Sequence, residues 1–164
     1  MTMPHERTRS LRFGWEFLME LQASDNLTVD QRSTIEKILL HYPTGGEIKQ
    51  WAKDCVGAKE RVGSKMAPEN PNVFTSRNPA IPDSIPRGPT TPKERTTALR
   101  YAYEFFRFGL MSSDNLVEQQ KRQIPFVLRH FPEGHEINSW AKMDAWEATK
   151  NPAFKPWLAP ETES

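Results

Sequence analysis

The feature that most constrains the fold of this 164-residue sequence is an internal duplication. The two copies match first at an offset of 88 residues and then, after one inserted residue, at an offset of 89. A unit of about 50 residues is close to the lower limit for burying an adequate core alone, so we expect the copies to pack on each other. The matched segments are 4–18 with 92–106, 24–27 with 113–116, 41–48 with 130–137, and 51–53 with 140–142.

Capping signals and apolar spacing predict three helices in each copy. In the first copy Leu11, Trp15 and Leu18 fall on one face of a helix that Thr2 caps and that runs to about Gln22. Two further helices begin at the capping boxes of Thr28 with Gln31 and of Thr44 with Glu47, and Pro43 ends the first of these two. In the second copy Pro125 predicts a kink or a delayed start of the middle helix. Arg12 with Glu16, repeated as Arg100 with Glu104, indicates a solvated ion pair.

The expected fold is therefore all-α, with two tandem three-helix units related by approximate twofold symmetry and no sheet. We expect a first repeat at 1–60, a connector at 61–91, a second repeat at 92–150 and an extended tail at 151–164. Seven of the 14 prolines lie between residues 68 and 92, which excludes a helix or a central strand there. The connector and the tail both carry apolar side chains, and residues 70–74 loosely echo residues 151–158. We expect both segments to dock, the connector through Val73, Phe74, Ile81 and Ile85.

Composition limits the setting and the classes of partner. The chain is 37% hydrophobic and 26% charged, which is typical of a polar-surfaced globular protein. No stretch approaches the roughly 20 apolar residues of a membrane span, and arginines interrupt any signal-peptide pattern near the N-terminus. Together with the single Cys55, these features predict a cytoplasmic protein with no membrane partner. The net charge of +1 favours neither nucleic acid nor acidic substrates.

Aromatic residues form a second apolar stripe on the first helix of each copy. Tyr101, Phe105 and Phe108 are spaced at i, i+4 and i+7, and Phe13 and Phe17 lie at equivalent positions in the first copy. The stripe needs a cover, which could be the other repeat, the connector, a second subunit or an outside partner. We favour internal cover. The candidate protein-contact residues are Phe13, Phe17, Tyr101, Phe105, Phe108, Trp146, Phe154 and Trp157.

Catalytic and metal signatures are absent from the sequence. His5, His41, His130, His135 and Cys55 lack the spacing of a metal site, and no phosphate-binding loop or nucleophile motif occurs. A histidine at the end of the second helix of each copy suits the helix dipole. We therefore predict no catalytic residue, no cofactor and no metal, and the protein is not expected to be an enzyme.

Nucleic-acid binding is the alternative function, because a tight turn before the third helix is compatible with a helix-turn-helix. The third helix of the second copy is less basic than that of the first, which argues against symmetric DNA binding. The main hypothesis is a non-catalytic protein that binds an unidentified protein or forms a homodimer. The candidate nucleic-acid contacts are Lys49, Gln50, Lys53, Lys59, Arg61 and Lys142.

The opening residues 1–11 and the segment His41–Pro43 resemble a family of short uncharacterised proteobacterial proteins. Members of that family open with M-T-x-P-x-E-R-T-R and carry H-Y-P after the second helix. The resemblance covers residues 1–53 and again 90–142. It implies a small accessory protein that binds or regulates, including inhibition of a host or phage system, and it brings no site residues.

Overall fold

The computed structural model describes residues 3–57, 66–68, 78 and 80–161. These residues form six α-helices and one π-helical turn, with no β-strand among them, so the predicted all-α class is confirmed. The helices are α1 (Pro4–Gln22), α2 (Val29–Leu39), α3 (Gly45–Gly57), α4 (Pro92–Glu104), α5 (Glu118–Leu128) and α6 (Gly134–Lys150), and the π-helical turn is Phe105–Gly109.

The predicted capping signals start the helices, with one correction. Thr28 accepts a hydrogen bond from the Gln31 N–H, and Thr44 does the same for Glu47. Thr91 repeats the arrangement with the Glu94 N–H at the start of α4. At α1 the capping position belongs to Met3 rather than Thr2, which lies outside the described residues. Met3 makes no capping hydrogen bond with its side chain, but the Glu6 carboxylate accepts the Met3 N–H at 2.8 Å.

One hydrophobic core includes residues of both repeats. Helix α1 packs against α2 and α3 of its own repeat and against α5 of the other, and α4 packs against α2 and α6. Trp51 of α3 and Trp140 of α6 meet edge to face, with 6.1 Å between their ring centroids. This shared burial is what two small units need, since neither supplies a large core alone.

The predicted delay of the middle helix at Pro125 is not observed. Helix α5 starts at Glu118, the position equivalent to Val29 of α2, and continues through Pro125, so the proline delays nothing. Pro125 removes only one hydrogen bond, and the buried Ile124 and Val127 beside it keep the helix on the core.

The Arg12–Glu16 pair is not solvated. Its nitrogen and oxygen lie 3.0 Å apart with side chains only 2% and 7% exposed, whereas Arg100 and Glu104 are 27% and 50% exposed. The first pair is enclosed because α1 is covered on nearly every side.

The described part of the connector lies against the first repeat. The Trp15 indole Nε1–H donates to the Pro82 carbonyl at 3.0 Å. Arg87 donates to the Leu39 and Tyr42 carbonyls at the end of α2, at 2.8 and 2.6 Å, and also pairs with Glu47. A guanidinium at a helix C-terminus satisfies carbonyls that have no partner in the helix. Val73 and Phe74 lie outside the described residues.

The π-helical turn contains the residue by which the repeats differ in length. Phe106 matches Leu18 at an offset of 88, but Leu110 matches Leu21 at an offset of 89. All four are at most 1% exposed. A π-turn adds one residue to a helix without changing its path greatly. The extra residue therefore lies between Phe106 and Leu110, and both of these side chains remain in the core.

Deleting Arg107 should restore the spacing of the first repeat and convert the π-helical turn to α-helix. Arg107 is exposed, so we expect the free energy of unfolding to stay within about 1 kcal/mol of the wild-type value in urea titrations. Deleting the exposed Tyr101 is the matched control. It rotates Ala102 and Phe106 by about 100° out of the core and should cost more than about 3 kcal/mol. Equal costs for the two deletions would contradict this account of the turn.

Candidate interaction surface

The aromatic residues predicted to contact a partner divide into exposed and enclosed sets. Tyr101, Phe108 and Trp146 are 48%, 68% and 57% exposed. Phe17 and Phe105 are only 3% and 7% exposed, so no outside partner reaches them in this structure. The remaining three, Phe13, Phe154 and Trp157, are partly buried.

The π-helical turn begins at Phe105 and changes its spacing to Phe108, whereas Tyr101 and Phe105 keep ordinary α-helical spacing. The Phe105 ring lies 6.2 Å from that of Phe106, which is 5.7 Å from the Phe17 ring of the first repeat. Phe105 is thus covered within the chain, whereas Phe108 is exposed. Sequence spacing at an ordinary helical period places Phe108 on the same stripe as Phe105, but the π-helical turn changes the period between these two residues.

Further exposed apolar residues of the second repeat were missed in the sequence. Among them are Met111, Phe126 and Met143, at 53%, 60% and 41% exposure. The first repeat has Gln22, Lys37 and Asp54 at the equivalent positions. A position-by-position comparison of the copies would have revealed them, since each is polar in one copy and apolar in the other. We name the exposed residues Tyr101, Phe108, Met111, Phe126, Met143 and Trp146 the apolar set of the second repeat.

Cations accompany two members of the apolar set. The Arg100 guanidinium lies 4.9 Å from the centre of the Tyr101 ring, and the Lys150 ammonium lies 3.8 Å from the Trp146 ring. Arg100 is also fixed by Glu161, with its Nε 2.6 Å from a carboxylate oxygen, and this pairing raises the pKa of Arg100. These aromatic rings are therefore oriented by charged neighbours.

Acidic side chains pair with two residues on the predicted nucleic-acid face of α3. The Lys49 ammonium lies 2.6 Å from the Asp83 carboxylate, and the Gln50 amide donates to Asp54 at 2.8 Å. Lys53 and Lys142 are exposed on α3 and α6. Lys59 and Arg61 lie outside the described residues. All four described candidates are thus exposed, but Lys49 and Gln50 are engaged by acidic side chains.

Amide side chains join the repeats in a reciprocal pattern. The Asn26 amide donates to the Asn115 carbonyl at 2.8 Å, and the Asn115 amide donates to the Asn26 carbonyl at 2.8 Å. Asn26 also donates to the Gln120 side chain, and Asn115 donates to that of Gln31, both at 2.7 Å. Every partner in the first set has its equivalent, 89 residues away, in the second.

Histidine and glutamate form a second reciprocal contact. The His41 Nε2 lies 3.0 Å from a Glu94 oxygen, and the His130 Nδ1 lies 3.6 Å from a Glu6 oxygen. The sequence placed both histidines at helix ends but did not show that each faces the other repeat. Hydrogen bonds from the Met3 and Thr91 N–H groups lower the pKa of Glu6 and of Glu94. Desolvation lowers the pKa of His130 and outweighs the opposing attraction of Glu6.

Two short extended segments dock in equivalent ways. The Thr96 hydroxyl donates to the Ala159 carbonyl at 2.7 Å and accepts the Ala159 N–H at 3.1 Å. The Thr8 hydroxyl makes the same pair of bonds with Ala67, at 2.7 and 3.3 Å. The residues before the two alanines, Met66 and Leu158, are fully buried. Residues 66–67 thus dock as residues 158–159 do, whereas the proposed echo at 70–74 lies outside the described residues.

Side chains that could hold a metal ion lie close together at one place in the described part of the chain. The one group of close ligand types there is Glu133, His135 and Glu136, which is largely exposed and lies at the start of α6. His135 pairs with Glu133 at 3.3 Å. A shallow groove of about 190 Å³ between α1 and α5 is lined by glutamines and apolar side chains.

Comparison with known protein families, with curated proteins and with solved structures found no match to this chain. Among the described residues, none of the helices combines the length and the apolar character needed to cross a membrane.

The fold should lose stability between about pH 7 and pH 5 in part through His130. Its folded-state pKa is depressed, so its contribution is present above the unfolded pKa of about 6.5 and is lost as the pH falls through the folded pKa. Urea titrations of a His130→Gln chain should show a smaller loss over this interval than the wild type. Glu6→Gln should show a larger one, since Glu6 opposes the depression of the His130 pKa. Identical pH profiles for all three chains would contradict the assignment.

Proposed function

We propose that the protein is a non-catalytic binding protein that contacts another protein through the apolar set of the second repeat. The observation that carries this proposal is the exposure of three aromatic rings, Tyr101, Phe108 and Trp146, at about half of their surface or more. Tyrosine, tryptophan and phenylalanine are enriched in protein interfaces because each supplies a large apolar area at low entropic cost.

The difference between the repeats supports the proposal. Both copies keep an apolar core, but only the second has Met111, Phe126 and Met143 where the first has Gln22, Lys37 and Asp54. Exposed apolar side chains add nothing to the core and favour aggregation unless a partner covers them. A duplicated chain that binds a partner through one of its copies would carry additional exposed apolar residues on that copy.

Nucleic-acid binding has less support. A phosphate backbone would have to displace Asp83 from Lys49 and Asp54 from Gln50 before those side chains could contribute. Mixed charges on α3 also weaken the local positive potential that drives such binding.

We also propose that the six helices form two units related by approximate twofold symmetry, with the bounds expected from the sequence. The reciprocal contacts of Asn26 with Asn115 support it, as does the matching of His41–Glu94 with His130–Glu6. If the first copy is exchanged with the second, each residue of one contact takes the position of its equivalent in the matching contact. The same proposal includes a cytoplasmic location, similarity to the accessory proteins named above, and a role as a regulator or an inhibitor.

The twofold arrangement predicts that Asn26→Ala and Asn115→Ala cost similar amounts of stability. Each change removes one member of the amide network and leaves the others short of partners, which should cost about 1–3 kcal/mol. The double variant should lose less than the sum, because both residues belong to one network. Urea titrations of the four chains measure this cycle. Additive costs, or a large cost for only one of the asparagines, would count against reciprocity.

Partner binding should require Phe108 and Tyr101. A Tyr101→Ser, Phe108→Ser chain should keep the wild-type melting temperature within a few degrees, since both residues lie on the surface. It should lose at least ten-fold in affinity for the partner recovered from the native host, as removal of aromatic interface anchors does. Affinity is measured by titration, and sedimentation velocity tests whether the partner is a second copy of the chain.

Matched controls separate this surface from the core and from nucleic acid. Val29→Ser and Leu40→Ser change exposed apolar residues of the first repeat and should leave binding intact. Phe105→Ala should instead cost about 3–5 kcal/mol of stability, because that ring is enclosed. Unchanged binding and self-association in the double variant would refute the proposal. A salt-sensitive shift of random duplex DNA would favour the nucleic-acid alternative.

A further inference from the structure

The segment Trp157–Ala159 is held mainly through its main chain. The Asp144 carboxylate accepts the N–H groups of Trp157 and Leu158 at 3.1 and 3.0 Å. Arg95 Nε donates to the Trp157 carbonyl at 2.8 Å, and Thr96 both donates to and accepts from Ala159. Binding of an extended peptide by main-chain hydrogen bonds, with pockets for selected side chains, is a common mode of peptide recognition.

Side-chain pockets give the same groove its selectivity. Leu158 is fully buried, and the Trp157 ring stacks on Trp51 with 6.0 Å between centroids. Beyond Pro160, Glu161 pairs with Arg100 and also accepts from the Thr97 hydroxyl at 3.1 Å. The groove between α4 and α6 therefore takes an aliphatic residue, alanine, proline and a carboxylate in succession.

The first repeat accommodates a second copy of this motif. Met66, Ala67 and Pro68 precede Glu69 in the sequence, as Leu158, Ala159 and Pro160 precede Glu161. Met66 is buried as Leu158 is, and Thr8 bonds Ala67 as Thr96 bonds Ala159. Cys55 stands where the second repeat has Asp144, so the first groove lacks the carboxylate acceptor. Residues 66–67 and 158–159 thus bind equivalent threonines through the same main-chain hydrogen bonds, each after a buried apolar side chain.

We propose that the groove formed by Arg95, Thr96, Arg100 and Asp144 is a peptide-binding site for an extended aliphatic-Ala-Pro-acidic segment of another protein, which replaces the tail. This inference does not depend on the apolar set. A competing segment makes the same main-chain hydrogen bonds, so the exchange conserves most of the binding energy. Of residues 151–161, only Leu158 is fully enclosed, and residues 151–153 are exposed. The tethered tail competes at an effective concentration in the millimolar range.

Fluorescence polarisation of a labelled peptide with the sequence of residues 154–161 tests the site on the full-length chain. Leu158→Ser weakens the tethered competitor, so this chain should bind the peptide at least ten-fold more tightly than the wild type. Adding Thr96→Val, which keeps the side-chain shape and removes both hydrogen bonds to the alanine, should reduce binding at least ten-fold. A peptide with aspartate in place of the leucine is the control and should not bind. The proposal is overturned if the folded Leu158→Ser chain fails to bind or if Thr96→Val changes nothing.

A second measurement covers the case in which Leu158→Ser does not fold, as judged by circular dichroism. Glu161→Ala removes the contacts with Arg100 and Thr97 but keeps the buried leucine. Saturating peptide should then speed amide hydrogen exchange of the tail N–H groups at residues 157–159 several-fold, because the displaced tail enters solvent. Exchange that is unaltered by the peptide would overturn the proposal.

Discussion

The close approach of helix α1 to its neighbours at Gly14 governs how the two repeats fit together. A Cβ atom at this position would lie 2.5 Å from the Tyr42 hydroxyl and 3.1 Å from the Phe131 ring. Tyr42 donates to the Leu11 carbonyl at 2.6 Å in a fully buried setting, and that burial raises the pKa of its phenol. The absence of a side chain at Gly14 thus lets a helix of one repeat meet an aromatic ring of each.

The second repeat solves the same packing problem with a different pair. Ala102 stands at the position of Gly14, and Phe131 stands at that of Tyr42. Phenylalanine has no counterpart of the Tyr42 hydroxyl that lies close to Gly14, and both Ala102 and Phe131 are buried. Dense interiors couple neighbouring side chains in this way, since a change of one atom on one side requires an adjustment on the other.

Much of the fold could be predicted from the sequence because its signals are local. The capping boxes of Thr28 and Thr44 and the apolar stripe through Leu11, Trp15 and Leu18 depend on residues within one or two turns. The enclosure of Arg12 with Glu16 could not be predicted, because it depends on the tertiary packing around α1. Pro125 was misjudged for a related reason, since tertiary burial outweighs a local helix breaker.

The candidate sites were predicted less completely than the helices. Aromatic spacing identified Tyr101 and Phe108, but the identical spacing of Phe105 placed a core residue in the same set. Spacing alone does not distinguish them, because the burial of Phe105 depends on tertiary packing. The docking of Ala159 on Thr96 had a visible counterpart in the repeated Ala-Pro-Glu, but three residues are too few to stand out without the groove that holds them.

A length difference of one residue between the copies has a genetic consequence. Insertion of a single codon into a helix ordinarily turns every later side chain to a new face, and selection removes most such changes. Here Leu110 kept its buried place, so the altered gene could retain a folded product. The π-helical turn leaves Phe108 exposed in the second copy, where it can vary without disturbing the core. A length change tolerated in this way lets one half of a duplicated chain present a different surface.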